Sequence, residues 1–450
     1  MKAASNNQTM QASKGYQEGA ERPCRLSFTT IFLFPISELF SSILSNFSTN
    51  RIHCFILSNK MIKVIILLSF LLLSLVAANI KLNPETTSFD DYCKVYNCPW
   101  SKNELQQRKE LFETRVAEII KHNKNPKKSY TKGLNALTLL NDKELKQRLG
   151  YSKTLNHATS GNLKHQLSLK TLKTSANDIP ASFNWQDKAN VVGVAKDQGK
   201  CGSCWANAAT AVLESHVAIN SGKLYDLSVQ QFTSCAPNPN QCGGVGGCEG
   251  STAALAYNYL AVSNDGGYQE MQYPYTSYYG ETGECKVDQI STQTSPKVTI
   301  DGFTNLKSVD TITLKQIIYE HGPVAVNVDA TTWRDYQGGV FDECTTTQTT
   351  LDINHVVTLV GYSSSPYATA NATTDGYWIV KNSWSPDYGE NGFINLRMGT
   401  NDAEDNCMMD NTPEDGVECA AGGTPPPVKV CGECGILYDI AYPVNAKSVL

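Results

Sequence analysis

Histidine is scarce in this chain. Seven occur in 450 residues, and only His216, His321 and His355 follow Ile179. Few side chains are therefore available to carry a proton near neutral pH. A strong positive charge is also missing. The net charge is -5, and no stretch is basic enough to suggest nucleic-acid binding. No internal repeat is found. Cysteine, by contrast, is plentiful. Fifteen in a chain of this kind favour an oxidising compartment, and the length allows two or more compact domains.

The mean charge hides an asymmetry. Residues 79–178 hold 18 basic and 10 acidic side chains, whereas residues 179–450 hold 13 and 30. A basic segment of +8 thus precedes an acidic one of -17. Upstream, residues 1–60 show no clear organisation. Met61 to Ala78 reads as a secretory signal, with Lys60 and Lys63 ahead of an apolar run and small Val76 and Ala78 at its end. Met61 is the expected initiator, and residues 1–60 an extension from a mis-set start. The alternative, an uncleaved anchor, needs a longer apolar run.

The basic segment contains one clear helix, Lys102 to His122. Leu105, Phe112, Val116, Ile119 and Ile120 fall mostly on one face, and Ser101 with Glu104 makes a capping box. Cys93 and Cys98 can pair with each other. At Ile179 the character changes, and Ile-Pro-Ala-Ser-Phe-Asn-Trp reads as a new amino terminus. Helix patterns cover Trp205 to Ile219 and Thr252 to Ala261. Strand patterns cover 324–328, 356–362, 377–381 and 392–397. Helices followed by strands predict an α+β protein of two lobes. An acidic insert, Asn401 to Cys434, carries four cysteines. Cys407, Cys419, Cys431 and Cys434 can be imagined as a zinc site, but disulfides are the better reading in a secreted chain.

The chemistry gathers around Gln198-Gly-Lys-Cys201-Gly-Ser-Cys204-Trp205. A thiol attacks as its thiolate. Cys204 stands where a helix begins, so the helix dipole favours an anion there. A neighbouring histidine would complete a thiolate–imidazolium pair. His216 lies too far along the same helix to fold back, and His321 sits at a helix end. His355 lies in an apolar strand. A lone strand histidine is usually structural, but Asn382 in Lys-Asn-Ser-Trp384 can orient this one as a base, with Trp384 shielding the bond. Gln198, six residues before Cys204, can donate its amide to an oxyanion together with the Cys204 backbone N–H.

These stretches resemble the active-site motifs of papain-family cysteine proteases of the cathepsin L-like type, in the same order. Leu227-Ser228 and Tyr273-Pro-Tyr275 match supporting motifs. The amino-terminal helix keeps the ERFNIN pattern as Glu104, Arg108, Phe112, Ile119 and Asn123, with Arg115 where asparagine is usual. The resemblance implies a papain-like two-lobed fold, a helical lobe and a β-barrel-like lobe. It implies a precursor whose residues 79–178 form an inhibitory propeptide and whose residues 179–450 form the protease domain, with an insert near 401–433. It also implies the pairs Cys201–Cys248, Cys235–Cys285 and Cys344–Cys434. The pairing of Cys242, Cys407, Cys419 and Cys431 stays open, and the odd count of cysteines after Ile179 supports a free Cys204.

By the same resemblance, Asp439 falls at the floor of the main specificity pocket, with Asn327, Ile353 and Val356 as walls. Ser251 replaces a glycine near where family members hydrogen-bond the substrate backbone. Other departures are Asn207 for an aromatic residue, and Ser385 and Tyr388 for a glycine and a tryptophan. In the proregion, Gly133-Leu-Asn135-Ala-Leu137-Thr-Leu139 departs from the usual motif.

The expected protein is a secreted, lysosomal or vacuolar endopeptidase. It acts on proteins or peptides through Cys204, His355, Asn382 and Gln198, without metal or organic cofactor and without a stable membrane span after signal cleavage. Its own propeptide is expected to inhibit it until acid weakens the charge attraction between the two segments and permits cleavage near Asn177 to Ile179. An exopeptidase of the same family and a non-catalytic binding protein on the same fold are the alternatives. Asn371-Ala-Thr373 is the one glycosylation pattern found in the mature part.

Overall fold

Polar caps start the amino-terminal helices. Ser88 caps α1 (Phe89–Tyr96), its hydroxyl accepting from the Asp91 amide. Ser101 and Glu104 close a capping box on α2 (Lys102–Asn123). A strand, β1 (Tyr130–Lys132), follows, and a second capping box, Asn141 with Glu144, begins α3 (Asp142–Arg148). Tyr92, Phe112, Ile119, Leu134 and Leu139 form a small core of their own. The computed structural model describes residues 81–150, 165–263, 266–290, 297–364, 376–399, 406–416, 418–420 and 422–449. The signal segment, the residues before it and Asn371 lie outside them.

After β2 (Ser182–Asn184) comes the central helix α4 (Cys204–Ser221). Its sequence is apolar or small on nearly every side, so it is buried all round rather than amphipathic. Trp205, Val212, Leu213 and Val217 are fully enclosed, each stabilising the fold by roughly 1.5–3 kcal/mol. Gly222, at φ 72°, ends the helix in the left-handed conformation that glycine adopts at low cost. Helices α5 (Val229–Cys235) and α6 (Ala253–Val262) complete the helical lobe.

The second lobe is β-rich. Its elements are β3 (Lys297–Thr299), β4 (Gly302–Ser308), α7 (Thr311–His321), β5 (Val324–Val328), β6 (Tyr336–Phe341) and α8 (Glu343–Thr347). Then follow β7 (His355–Ser363), β8 (Tyr377–Lys381), β9 (Phe393–Arg397), β10 (Cys407–Asp410), β11 (Val428–Cys431), β12 (Tyr438–Val444) and β13 (Lys447–Val449). The main sheet runs β1-β6-β9-β8-β7-β5-β12-β4, with β2 also on β7. Only the β6–β9 pair is parallel among the described pairings of this sheet. Strand β7 is buried at every position, as its continuous apolar run requires.

Strand β1 of the amino-terminal segment is part of this sheet. Tyr130 pairs with Gly339 and Thr131 with Gly338, so the amino-terminal segment caps the β6 edge. Tyr130, Leu137, Leu145 and Leu149 also join the main hydrophobic core. Asn79–Leu450 is one compact unit. Among the described residues, no helix is long and apolar enough to cross a membrane.

The cysteines of the imagined zinc site are divided among three bridges, Cys407–Cys431, Cys242–Cys419 and Cys344–Cys434. Oxidised sulfur has no thiolate to offer a metal, so that arrangement is excluded in this structure. Cys93–Cys98, Cys201–Cys248 and Cys235–Cys285 are also bridged, and Cys204 is the free thiol among the described residues.

Candidate active site

Cys204 is the first residue of α4, and the Cys201–Cys248 bridge fixes the turn ahead of it. Its sulfur has a backbone contact with Val356, which places it at the start of β7, beside His355. His355 Nε2 donates to Asn382 Oδ1 at 2.8 Å, and Nδ1, buried and without a hydrogen-bond partner, is left free. The Asn382 oxygen also accepts from the Ser383 amide at 2.8 Å, which fixes its orientation. The Trp384 ring lies 4.9 Å from the His355 ring, and Trp333 stands edge-on at 6.2 Å. Both indoles exclude water from the His–Asn bond.

Gln198 is fully buried. Ser383 Oγ donates to its Oε1 at 2.6 Å, which turns the NH2 group toward the cleft. That NH2 donates to the Cys201 carbonyl at 2.9 Å and to the carbonyl of Arg148, the last residue of α3, at 2.6 Å. Ser383 thus joins Gln198 to Asn382, a link that sequence reasoning missed although the residue stood inside a quoted motif. Two residues beyond Arg148, Gly150 lies against Gly202 and Gly250, with no room for a side chain on Gly202. The amino-terminal segment therefore lies against Gln198 and the turn that leads into Cys204.

The electrostatics differ from the sequence expectation. Burial pushes the Cys204 thiol up to about 11, although backbone contacts with Val356, Trp205 and Cys204 itself oppose it. Burial pushes His355 down to about 4, against the Asn382 bond, and the Arg148 charge adds to the depression. Helix dipole and imidazole favour a thiolate, but here burial opposes charge on both groups.

The departures have physical outcomes. The Asn207 amide donates to Ser203 O at 3.0 Å, beside a cavity of about 580 Å³ that Lys196, Glu214 and Glu270 also line. Tyr388 packs edge-on against Trp384 at 5.1 Å and donates to the Trp333 carbonyl at 2.9 Å. Ser385 sits at φ 81°, where a glycine is the easier residue. Ser251 is buried with its hydroxyl unpartnered. Asp439 is 4% exposed; one carboxylate oxygen accepts from Asn305 and the other from Asn327, both at 3.0 Å. Burial raises its pKa. Asn327 Nδ2 also donates to the Asp439 carbonyl at 2.8 Å, and Ile353 and Val356 flank His355 in sequence.

Fold and site together define a thiol hydrolase whose own amino-terminal segment covers its cleft. Residues 179–416 match the Papain family cysteine protease family, and residues 89–145 match the Cathepsin propeptide inhibitor domain (I29). The chain is 32% identical to Vignain of Vigna mungo over 322 residues, covering 70% of this chain and 81% of that one. It is 30% identical to Pro-cathepsin H of Bos taurus over 320 residues, covering 70% and 87%. The solved structure of digestive procathepsin L 3 from the larval midgut of Tenebrio molitor superposes with a TM-score of 0.58 at 26% identity, covering 79% and 97%. The chain belongs to the papain family of cysteine proteases, as a cysteine-type peptidase made with an inhibitory propeptide.

Proposed function

We propose that the chain is a secretory-pathway zymogen, destined for a lysosome, a vacuole or the extracellular space, that hydrolyses peptide bonds through an acyl-enzyme. Cys204 attacks the scissile carbonyl carbon. His355 takes the thiol proton, gives it to the leaving amine, then activates the water that releases the acid. Asn382 holds the imidazole. The Gln198 amide and the Cys204 N–H receive the oxyanion. Asp439, Asn327, Ile353, Val356 and Ser251 shape the pocket for the residue two before the cleaved bond.

The observation that carries this reading is the 2.8 Å His355–Asn382 bond under Trp384, beside the one described free thiol. Acid activation followed by labelling with a thiol-directed epoxide tests it. The mature enzyme is expected to label stoichiometrically and the Cys204→Ala variant not at all; equal labelling of the two would sink the assignment.

Endopeptidase action is the reading carried from the sequence. Exopeptidase action is favoured by one observation, the position of the insert against Ile353 and Gly243.

A further inference from the structure

The insert is tied across the cleft. Cys419 is bonded to Cys242, which lies in the helical lobe between α5 and α6, 177 residues away. Two backbone hydrogen bonds flank the bridge, Gly243 N to Glu418 O and Ala420 N to Gln241 O, both 3.1 Å. On the other side the insert grips the β-rich lobe. Ile353 N donates to Asp410 at 3.1 Å, Leu351 N donates to Met409 O at 3.2 Å, and Lys307 pairs with Glu418. The Cys407–Cys431 bridge closes the base of the insert.

Close backbone contacts show where the strap crosses. A Cβ on Gly416 would clash with the Ile353 carbonyl, and one on Gly243 would clash with the Gly416 carbonyl. One on Gly250 would clash with the Gly243 carbonyl and with the carbonyl of Gly150 in the amino-terminal segment. Gly250, Gly243, Gly416 and Ile353 thus form a continuous backbone bridge from one lobe to the other. It stands at the level of Ile353, two residues before His355, and immediately beside the place that Gly150 occupies.

Resting on the cysteine-peptidase reading above, with Ser251 and Ile353 at the pocket for the residue two before the cleaved bond, we propose that this disulfide-anchored strap is an end-stop. It closes the cleft on the amino-terminal side of that pocket. A substrate then has room for about two residues before the scissile bond, and longer or blocked amino ends meet the Gly243–Gly416 wall. Hydrolysis releases short fragments from free amino ends. Glycine at 243 and 416 follows from the proposal, because any side chain there would push the two lobes apart.

The test uses the acid-activated enzyme and fluorogenic peptides with one, two, three or four residues before the cleaved bond, each with a free or an acetylated amino end. The expected result is a kcat/KM at least tenfold lower for three or four residues than for two, and a comparable loss on acetylation. In the double variant Cys242→Ser/Cys419→Ser, the longer peptides should regain most of that loss. A wild-type kcat/KM that stays level or rises from two to four residues overturns the end-stop. That length series decides the matter even if the double variant does not fold. Epoxide labelling of Cys204 is run on the same sample. Normal labelling with a flat length profile rejects the strap alone, whereas absent labelling rejects the peptidase reading beneath it.

Discussion

The backbone carbonyl of Arg148 accepts a 2.6 Å hydrogen bond from the side-chain amide of Gln198. A proregion carbonyl thereby occupies the donor proposed for the oxyanion. If Gln198 serves the oxyanion as proposed, this contact would withhold from a tetrahedral intermediate the hydrogen bond it needs.

Gln198→Ala should lower kcat of the mature enzyme by about 10²–10³, the usual loss for one oxyanion donor, with little change in KM. Steady-state kinetics on a short peptide checks this. A kcat within threefold of wild type would show that the amide serves only the zymogen.

Thiol reactivity should separate zymogen from mature enzyme. With the sulfur held near 11, about one thiol in ten thousand is ionised at pH 7. Iodoacetamide should therefore modify Cys204 at least a hundredfold more slowly in the intact zymogen than after proregion removal. Mass spectrometry of timed samples reads the difference, and equal rates would mean that the covering segment does not control ionisation.

The proposed acid release would begin at named carboxylates. Arg108 forms a bidentate pair with Glu144 at 2.5 and 2.6 Å, bracing α2 against α3. Burial raises Glu144, but the Arg108 hydrogen bond, the Asn141 amide and the Arg108 charge together hold it below the ordinary glutamate value. Glu320 accepts from the Lys173 and Thr174 amides at 3.0 and 2.5 Å. Its burial is likewise outweighed by these bonds, so its pKa is lowered. A lowered pKa contributes stability that is present above the unfolded value and lost as pH falls through the folded one. Proregion binding should therefore weaken below about pH 4.5, and Glu144→Gln zymogen should self-process at pH 6 several times faster than wild type on gel time courses. Two direct ion pairs, Lys132–Glu343 and Arg148–Asp197, also join a basic proregion residue to an acidic residue of the mature part. High salt should thus speed processing modestly.

The mature domain should show the opposite pH dependence. Burial raises Glu433 to about 7, against hydrogen bonds from Thr345 and the Arg397 charge, and raises Asp410 to about 6. A raised carboxylate contributes stability that is complete below its unfolded pKa and lost as pH rises through its folded value. The Tm of the proregion-free Cys204→Ser protein should fall by several degrees between pH 5 and pH 8. Glu433→Gln should flatten that slope, and an unchanged slope would remove Glu433 from the account.

The candidate residues Cys204, His355 and Asn382 were legible because the chemistry proposed for them restricts residue type and spacing: a cysteine at a helix start, a histidine in a strand, an amide before Trp384. The α2 cap at Ser101 and Glu104 was legible because capping is local. The burial that opposes charge on Cys204 and His355 was not, because it depends on water exclusion by residues more than fifty positions away. The β1 strand was not, because three residues paired to an edge carry too little pattern. The role of Ser383 needed the contact to Gln198, 185 residues distant.

The sequence by itself determined the papain-family motifs, the long helix of the amino-terminal segment and the odd cysteine count that supports a free thiol. Those follow from side-chain chemistry and short-range periodicity. Only the tertiary structure decided the partners of Cys242 and Cys407, the path of the proregion over Gln198 and Gly202, and the crossing of the insert between Gly243 and Ile353. These are meetings of segments far apart in the chain, and nothing local in either segment specifies the other.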